Sequence, residues 1–226
     1  MKTYLDGADV DKIINQGRCV RDQVMIRLLS RLGCRVSELI GITIADLDYD
    51  RNLVLIQHLK RGTRRQCPGC GARIGKRNLF CPKCGCDTTA GELVGELNRR
   101  RLVSVDPETL AMVRDYVDGR EPYSGRVFRI TRQRVYSIIV EAAEAAGFQG
   151  KLLLNPDSGT MKRVSPHRFR DAFAIRALGS NPTVEGQIHL QRHLGHQSFN
   201  TTTRYIKFAP TEEQDWYRDV WKGEEK

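Results

Sequence analysis

The chain has 226 residues, 40% of them hydrophobic and 7% aromatic, with a formal net charge of +10. This length holds one sizeable domain, or one domain with a small satellite. No apolar run approaches the roughly 18 residues needed to cross a bilayer, and Lys2 is not followed by the apolar stretch of a signal peptide, so the cytoplasm is the expected compartment. The positive charge favours a polyanion as partner, nucleic acid ahead of membrane, because no strongly amphipathic basic helix stands out.

Residues 9–15 and 21–32 read as helices, the second with Val24, Ile26, Leu28, Leu29 and Leu32 as an apolar stripe that Gly33 ends. A short helix follows at residues 35–40. Residues 52–59 and 101–105 are strand-like and are expected to pair as an antiparallel hairpin. Asp106-Pro107-Glu108 starts a helix running to about Val117, with Asp at the cap and Pro in the first turn. Residues 131–146 form a further helix ended by Gly147. A loop over residues 155–159 leads to Ser165-Pro166, which opens a helix to about Leu178. Residues 183–194, 199–208 and 211–221 complete the helices, the last with Thr211 and Gln214 at capping-box spacing. The fold class is α+β, mostly α-helical.

Seven cysteines are present, and five of them, Cys67, Cys70, Cys81, Cys84 and Cys86, fall within 20 residues. Such clustering in a cytosolic chain favours metal over disulfide. Cys67-Pro68-Gly69-Cys70-Gly71 and Cys81-Pro82-Lys83-Cys84-Gly85 are two Cys-x-x-Cys turns with ten residues between them. Four thiolates in a tetrahedron suit structural Zn²⁺ and leave no open position for catalysis. Cys86 is the spare and could replace Cys84, although the symmetry of the two turns favours Cys84. A ribbon this small buries little apolar surface, so the metal supplies its folding energy. Cys19 and Cys34 are expected in the core. Basic runs, Lys60-Arg61 with Arg64-Arg65 and Arg99-Arg100-Arg101, bracket the insertion and point to phosphate contact. Arg73, Lys76, Arg77 and Lys83 leave the ribbon fitted to either DNA or protein.

The remaining signal is a set of polar residues spread along the chain: Arg35, Lys60, His167, Arg170, His196 and Tyr205. Two arginines, a lysine and two histidines can surround one phosphate, with a tyrosine hydroxyl left to attack it. His167 and Arg170 share a helix face, and Arg170 can hold a phosphate in a bidentate fork. His189 and His193 compete with His196, but only His196 follows Leu-Gly.

These pieces resemble, in order, the boxes of the tyrosine recombinase (phage integrase) family. Gly33-Cys34-Arg35-Val36-Ser37-Glu38-Leu39 is similar to its first arginine box, and Lys60 to its hairpin lysine. The run Ser165-Pro166-His167-Arg168-Phe169-Arg170-Asp171-Ala172-Phe173-Ala174 resembles the His-x-x-Arg box. Leu194-Gly195-His196-Gln197-Ser198 and Thr201-Thr202-Thr203-Arg204-Tyr205 resemble the terminal box with its nucleophile.

The resemblance implies an integrase-like, DNA breaking-rejoining catalytic fold. Residues 1–65 and 98–226 would form it, 66–97 would be the inserted zinc ribbon, and the family's N-terminal core-binding domain would be absent. It implies that Tyr205 attacks a phosphate of double-stranded DNA to give a 3′-phosphotyrosyl link. Arg35 and Arg170 would stabilise the transition state, and Lys60 would protonate the 5′-oxygen. His167 would assist proton transfer from Tyr205, His196 would bond a non-bridging oxygen, and Glu38 would buttress the site; no catalytic metal is expected. Family assembly implies four protomers on two duplexes, with helix 211–221 either exchanged between them or packed on its own domain. The rival readings are a non-catalytic zinc-ribbon DNA-binding protein, a zinc-ribbon adaptor and a type IB topoisomerase.

Overall fold

The computed structural model describes residues 3–57, 63–75, 78–89, 93–95, 100–120, 125–150, 153–155, 160–196, 198–203 and 205. Contacts divide the chain into two units, residues 1–56 with 101–226, and residues 57–100.

The larger unit opens with helix α1 (Gly7–Asn15), started by a reciprocal cap. The Asp6 side chain accepts from the Asp9 N–H at 2.9 Å, and the Asp9 side chain accepts from the Asp6 N–H at 3.0 Å. Helix α2 (Val20–Leu32) buries Val24, Ile26, Leu28, Leu29 and Leu32, the stripe expected from sequence, together with Met25, and packs against α1. Helix α3 (Val36–Leu39) follows, then strands β1 (Leu47–Asp48) and β2 (Leu53–Gln57), paired antiparallel. Cys34 lies in the core as expected. Cys19 does not: it is exposed at the N-cap of α2, where the chain has yet to turn its apolar face inward.

The smaller unit is a three-stranded sheet with β3 (Thr63–Gln66) in the centre, antiparallel to both β4 (Arg73–Ile74) and β5 (Leu93–Gly95). Its only core cluster among the described residues is Cys67, Ile74 and Cys81, with Ala72 and Cys86 against it. So small an apolar centre cannot offset the chain entropy of ordering such a unit.

The chain returns to the larger unit through β6 (Arg100–Ser104), which lies beside β2, so the expected two-stranded hairpin is a three-stranded sheet in the order β1-β2-β6. Helix α4 (Pro107–Asp118) starts as read, with the Asp106 side chain accepting from the Thr109 N–H at 3.0 Å. Helix α5 (Arg132–Ala145) is capped by Thr131. Strands β7 (Leu153–Asn155) and β8 (Thr160–Lys162), not expected from the sequence, pair antiparallel on either side of the expected loop, whose residues 156–159 lie outside the described residues. Strands of three residues are too short to display an alternating pattern in sequence.

Helix α6 (Pro166–Ser180) is buried on several sides at once, at Phe169, Arg170, Ala172, Ala174, Ile175 and Leu178. It therefore lies inside the unit, packed against α2, α5 and α7 (Val184–Leu194). Helix α8 (Phe199–Thr203) is shorter than expected, and Tyr205 stands in the turn after it, its N–H bonded to Thr202 O at 3.1 Å. Helix 211–221 and Lys60 lie outside the described residues.

Candidate active site

The site gathers at the inner ends of α2, α6 and α7. Arg170 points inward from α6 and is almost completely buried. Its Nη1 donates to Gly33 O at 2.7 Å and its Nη2 to Leu194 O at 2.8 Å, tying the C-terminal ends of α2 and α7 to α6. Desolvation, with Arg35 nearby, lowers its pKa to about 10, so it stays charged at neutral pH but held at an energetic disadvantage. An anion placed beside it would relieve that disadvantage.

Glu38 is the buried counter-charge. It accepts from Arg35 Nη1 at 3.1 Å and from the Arg35 backbone N–H at 3.0 Å, which also starts α3. It takes a second guanidinium from Arg101, at 2.8 Å to Nη2 and 3.3 Å to Nη1. Arg101 Nε donates to His193 O at 2.7 Å, so this residue holds α7 to α3. Sequence reasoning grouped Arg101 with a phosphate-facing basic run. It is instead mostly buried, because strand alternation sends it inward. Arg35 and Arg101 pair with one carboxylate, and Arg170 is near enough to feel its charge, so three guanidiniums to one carboxylate leave the site positive.

Gly195 ends α7 with φ of 66°, a left-handed conformation, and a Cβ there would stand 3.0 Å from Arg101 Nη1. The turn it makes delivers His196 into the site. His196 Nδ1 lies 3.0 Å from Thr202 Oγ1, and its ring lies nearly parallel to that of Tyr205 at 6.3 Å. Desolvation, then Arg170 and Arg35, lowers its pKa to about 4, so it is neutral at pH 7. Thr202 was quoted from the sequence only as part of a box; its bond orients His196.

The competing histidines separate cleanly. His193 Nε2 lies 3.1 Å from Leu32 O, and a carbonyl only accepts, so that nitrogen carries the proton. Its ring stacks on Phe173 at 4.6 Å, a structural role. His189 is exposed, 3.6 Å from Glu185. His167 sits at the open rim of the site with its Nε2 3.6 Å from Asp171 Oδ1. The Tyr205 hydroxyl donates to that same oxygen at 2.9 Å. Asp171 is a site residue that sequence reasoning passed over; its signal was its place four residues after His167 on one helix. Arg35, Arg170, His167 and His196 are close enough to act electrostatically on one another, and Tyr205 acts on Arg170.

In the smaller unit, the thiols of Cys67, Cys70, Cys81 and Cys84 all lie within 4.8 Å of one another. Cys67 and Cys84 sulfurs are 3.4 Å apart, and those of Cys70 and Cys81 are 3.6 Å apart. A tetrahedral zinc with bonds of about 2.3 Å would set sulfurs about 3.8 Å apart, so the cluster is compatible with a structural metal. The two turns are copies: Gly71 N–H bonds Cys67 O and Gly85 N–H bonds Cys81 O, each at 2.8 Å, with both glycines at positive φ. The Lys83 N–H points at Cys81 Sγ at 3.4 Å, the backbone support that thiolate ligands receive. Cys86 is turned to Asp87 O, outside the quartet.

The Phage integrase family model matches residues 3–72. The chain is 22% identical over 201 residues to tyrosine recombinase XerA of Saccharolobus solfataricus, a match covering 89% of this chain and 50% of the relative. It is 25% identical over 222 residues to XerD of Yersinia pestis, covering 91% and 57%. The chain thus spans about half the length of these relatives. Among solved structures, XerA recombinase shares the fold with a TM-score of 0.66 at 19% identity, over 97% of this chain and 64% of that one. The catalytic domain of bacteriophage HP1 integrase shares it with a TM-score of 0.56 at 15% identity, over 99% and 98%. XerH recombinase, solved in a post-cleavage complex with a difH substrate, shares it with a TM-score of 0.62 at 16% identity, over 99% and 54%. The first arginine box lies inside the family match, the recombinase relatives extend along nine-tenths of the chain and the fold is shared, so the chain is similar to the tyrosine recombinase catalytic domains of the phage integrase family.

Proposed function

We propose that this chain cleaves and rejoins double-stranded DNA at specific sites through a 3′-phosphotyrosyl intermediate on Tyr205. The observation that carries the reading is the convergence of Arg35, Arg170, His196 and Tyr205 on one positive, preorganised site. Arg35 and Arg170 face the scissile phosphate and stabilise its extra negative charge as Tyr205 adds. His196, neutral and oriented by Thr202, bonds a non-bridging oxygen. His167 assists the proton of Tyr205, and Lys60 protonates the 5′-oxygen as it leaves. Cleavage conserves the phosphodiester bond energy in the tyrosyl link, so rejoining needs no cofactor.

The cysteine quartet holds a structural Zn²⁺ that folds the ribbon. Arg73 and Lys83 are exposed on that unit and suit contact with a DNA backbone. Four protomers act on two duplexes, and the clustered thiols suit the reducing cytoplasm.

The test is a panel of nicked suicide duplexes, read on a denaturing gel. A covalent adduct that Tyr205→Phe abolishes supports the reading. DNA binding without adduct on any duplex favours a non-catalytic binding protein, and supercoil relaxation without strand exchange favours a type IB topoisomerase.

A further inference from the structure

Asp171 joins three groups of the site through one carboxylate. Its Oδ2 takes Arg168 Nη1 at 2.9 Å. Its Oδ1 accepts the Tyr205 hydroxyl at 2.9 Å and lies 3.6 Å from His167 Nε2. Both Asp171 and Tyr205 are mostly shielded from water, where a hydrogen bond to a charged acceptor is strong and directional. One oxygen is thus occupied by a permanent cation, and the other is aimed at the tyrosine.

A phenol keeps its proton at neutral pH, with an ordinary pKa of about 10. Attack by Tyr205 requires that proton to leave as the new bond forms. Tyr205 stands in a turn rather than inside a helix, so backbone hydrogen bonding alone does not fix its hydroxyl. The bond to Asp171, anchored in helix α6, supplies that fixation.

We propose that Asp171 is a further catalytic residue of this chain: it aims the Tyr205 hydroxyl and accepts its proton during attack. The inference rests on the reading of Tyr205 as nucleophile. In the step, the Tyr205 Oη–H bond breaks and its proton passes to Asp171 Oδ1. The freed electron pair forms the Oη–P bond. The P–O5′ bond breaks with its pair on O5′, which takes a proton from the cationic acid of the site. Rejoining runs the same transfers backwards, with Asp171 returning the proton to Tyr205. Arg168 keeps Asp171 oriented throughout and offsets its charge beside the phosphate.

The experiment measures adduct formation on a suicide duplex that the wild-type chain cleaves, together with DNA affinity by anisotropy. Asp171→Asn should slow adduct formation by about tenfold to a hundredfold, within the range of general base effects. Its DNA affinity should stay within about twofold of wild type, and Asp171→Glu should recover part of the rate. Replacing Tyr205 by a fluorinated tyrosine of lower phenol pKa should narrow the gap between Asp171→Asn and its parent. An Asp171→Asn chain that cleaves as fast as wild type, or faster, overturns this inference alone. So does a deficit that the fluorinated tyrosine leaves unchanged, or one that only follows lost affinity. A wild-type chain that forms no adduct overturns the reading of Tyr205, and the inference with it.

Discussion

Arg101 Nη2 donates to Glu38 Oε2 at 2.8 Å, joining two residues 63 positions apart in sequence. Glu38 has no solvent-exposed side-chain surface, and Arg101 keeps only 14% of its own. A buried carboxylate needs paired cations and hydrogen bonds to remain charged, and Arg35 and Arg101 provide them. This pair sets the frame that holds the Arg35 side chain in place.

Breaking that pair from one side should therefore be severe. Arg101→Ala is expected to destabilise the chain by about 3–5 kcal/mol, because it leaves Glu38 short of a partner in the interior. Denaturant unfolding checks this. A shift within that of an exposed arginine such as Arg100→Ala would argue that Glu38 is not charged in the folded chain.

Arg170→Lys tests the tie between helices. A lysine cannot donate to Gly33 O and Leu194 O together from one planar fork. A buried carbonyl left without its donor costs about 1–3 kcal/mol, so the melting temperature should fall. DNA cleavage should fall as well, even though the charge is retained.

His193 and His196 make stability depend on pH. Desolvation lowers both pKa values to about 4 in the folded chain. In the unfolded chain a histidine titrates at about 6.5, so as pH falls the unfolded state takes up protons first. The contribution of these residues is fully present above pH 6.5 and is lost as pH falls through that window towards 4. His193→Gln should flatten the slope of unfolding free energy between those limits, measured by urea titration at several pH values.

Removing metal should act on the smaller unit alone. Its described core of Cys67, Ile74 and Cys81 is too small to hold the sheet, whereas the larger unit has extensive apolar clusters of its own. Chelation, or Cys81→Ser, should release about one zinc per chain and open residues 57–100 to protease. The rest of the chain should keep its helical circular dichroism. Global unfolding on chelation would show instead that the metal sustains more than the ribbon.

Deleting residues 66–97 tests what the ribbon touches. If Arg73 and Lys83 meet phosphates, DNA affinity should drop and its salt dependence should become shallower by about one unit of log slope per lost contact. Unchanged affinity would turn the search towards a protein partner, for which exposed Leu79 and Phe80 are the natural anchors.

Much of this molecule was legible in local pattern. The stripe in α2, the Asp106-Pro107 start of α4 and the Gly195 stop of α7 are all short-range signals, set by periodicity, capping and positive φ. The doubled Cys-x-x-Cys turn is equally local, and it announced the quartet that the fold assembles. The ordered boxes pointed to the tyrosine recombinases, to which the chain is similar along nine-tenths of its length.

Three features needed the assembled chain. Arg101 reads as one of three consecutive arginines, and only the strand beside β2 turns it inward to Glu38. His193 and His196 are three residues apart and chemically alike, and the path of α7 sends one to Leu32 O and the other to Thr202. Asp171 became part of the site when the turn after α8 carried Tyr205 back across 34 residues to meet it. Spacing along one helix or turn is fixed by backbone geometry and so is written in the sequence. Which distant charges share a buried volume depends on how the elements pack, and that is where the partners of Glu38, His196 and Tyr205 were chosen.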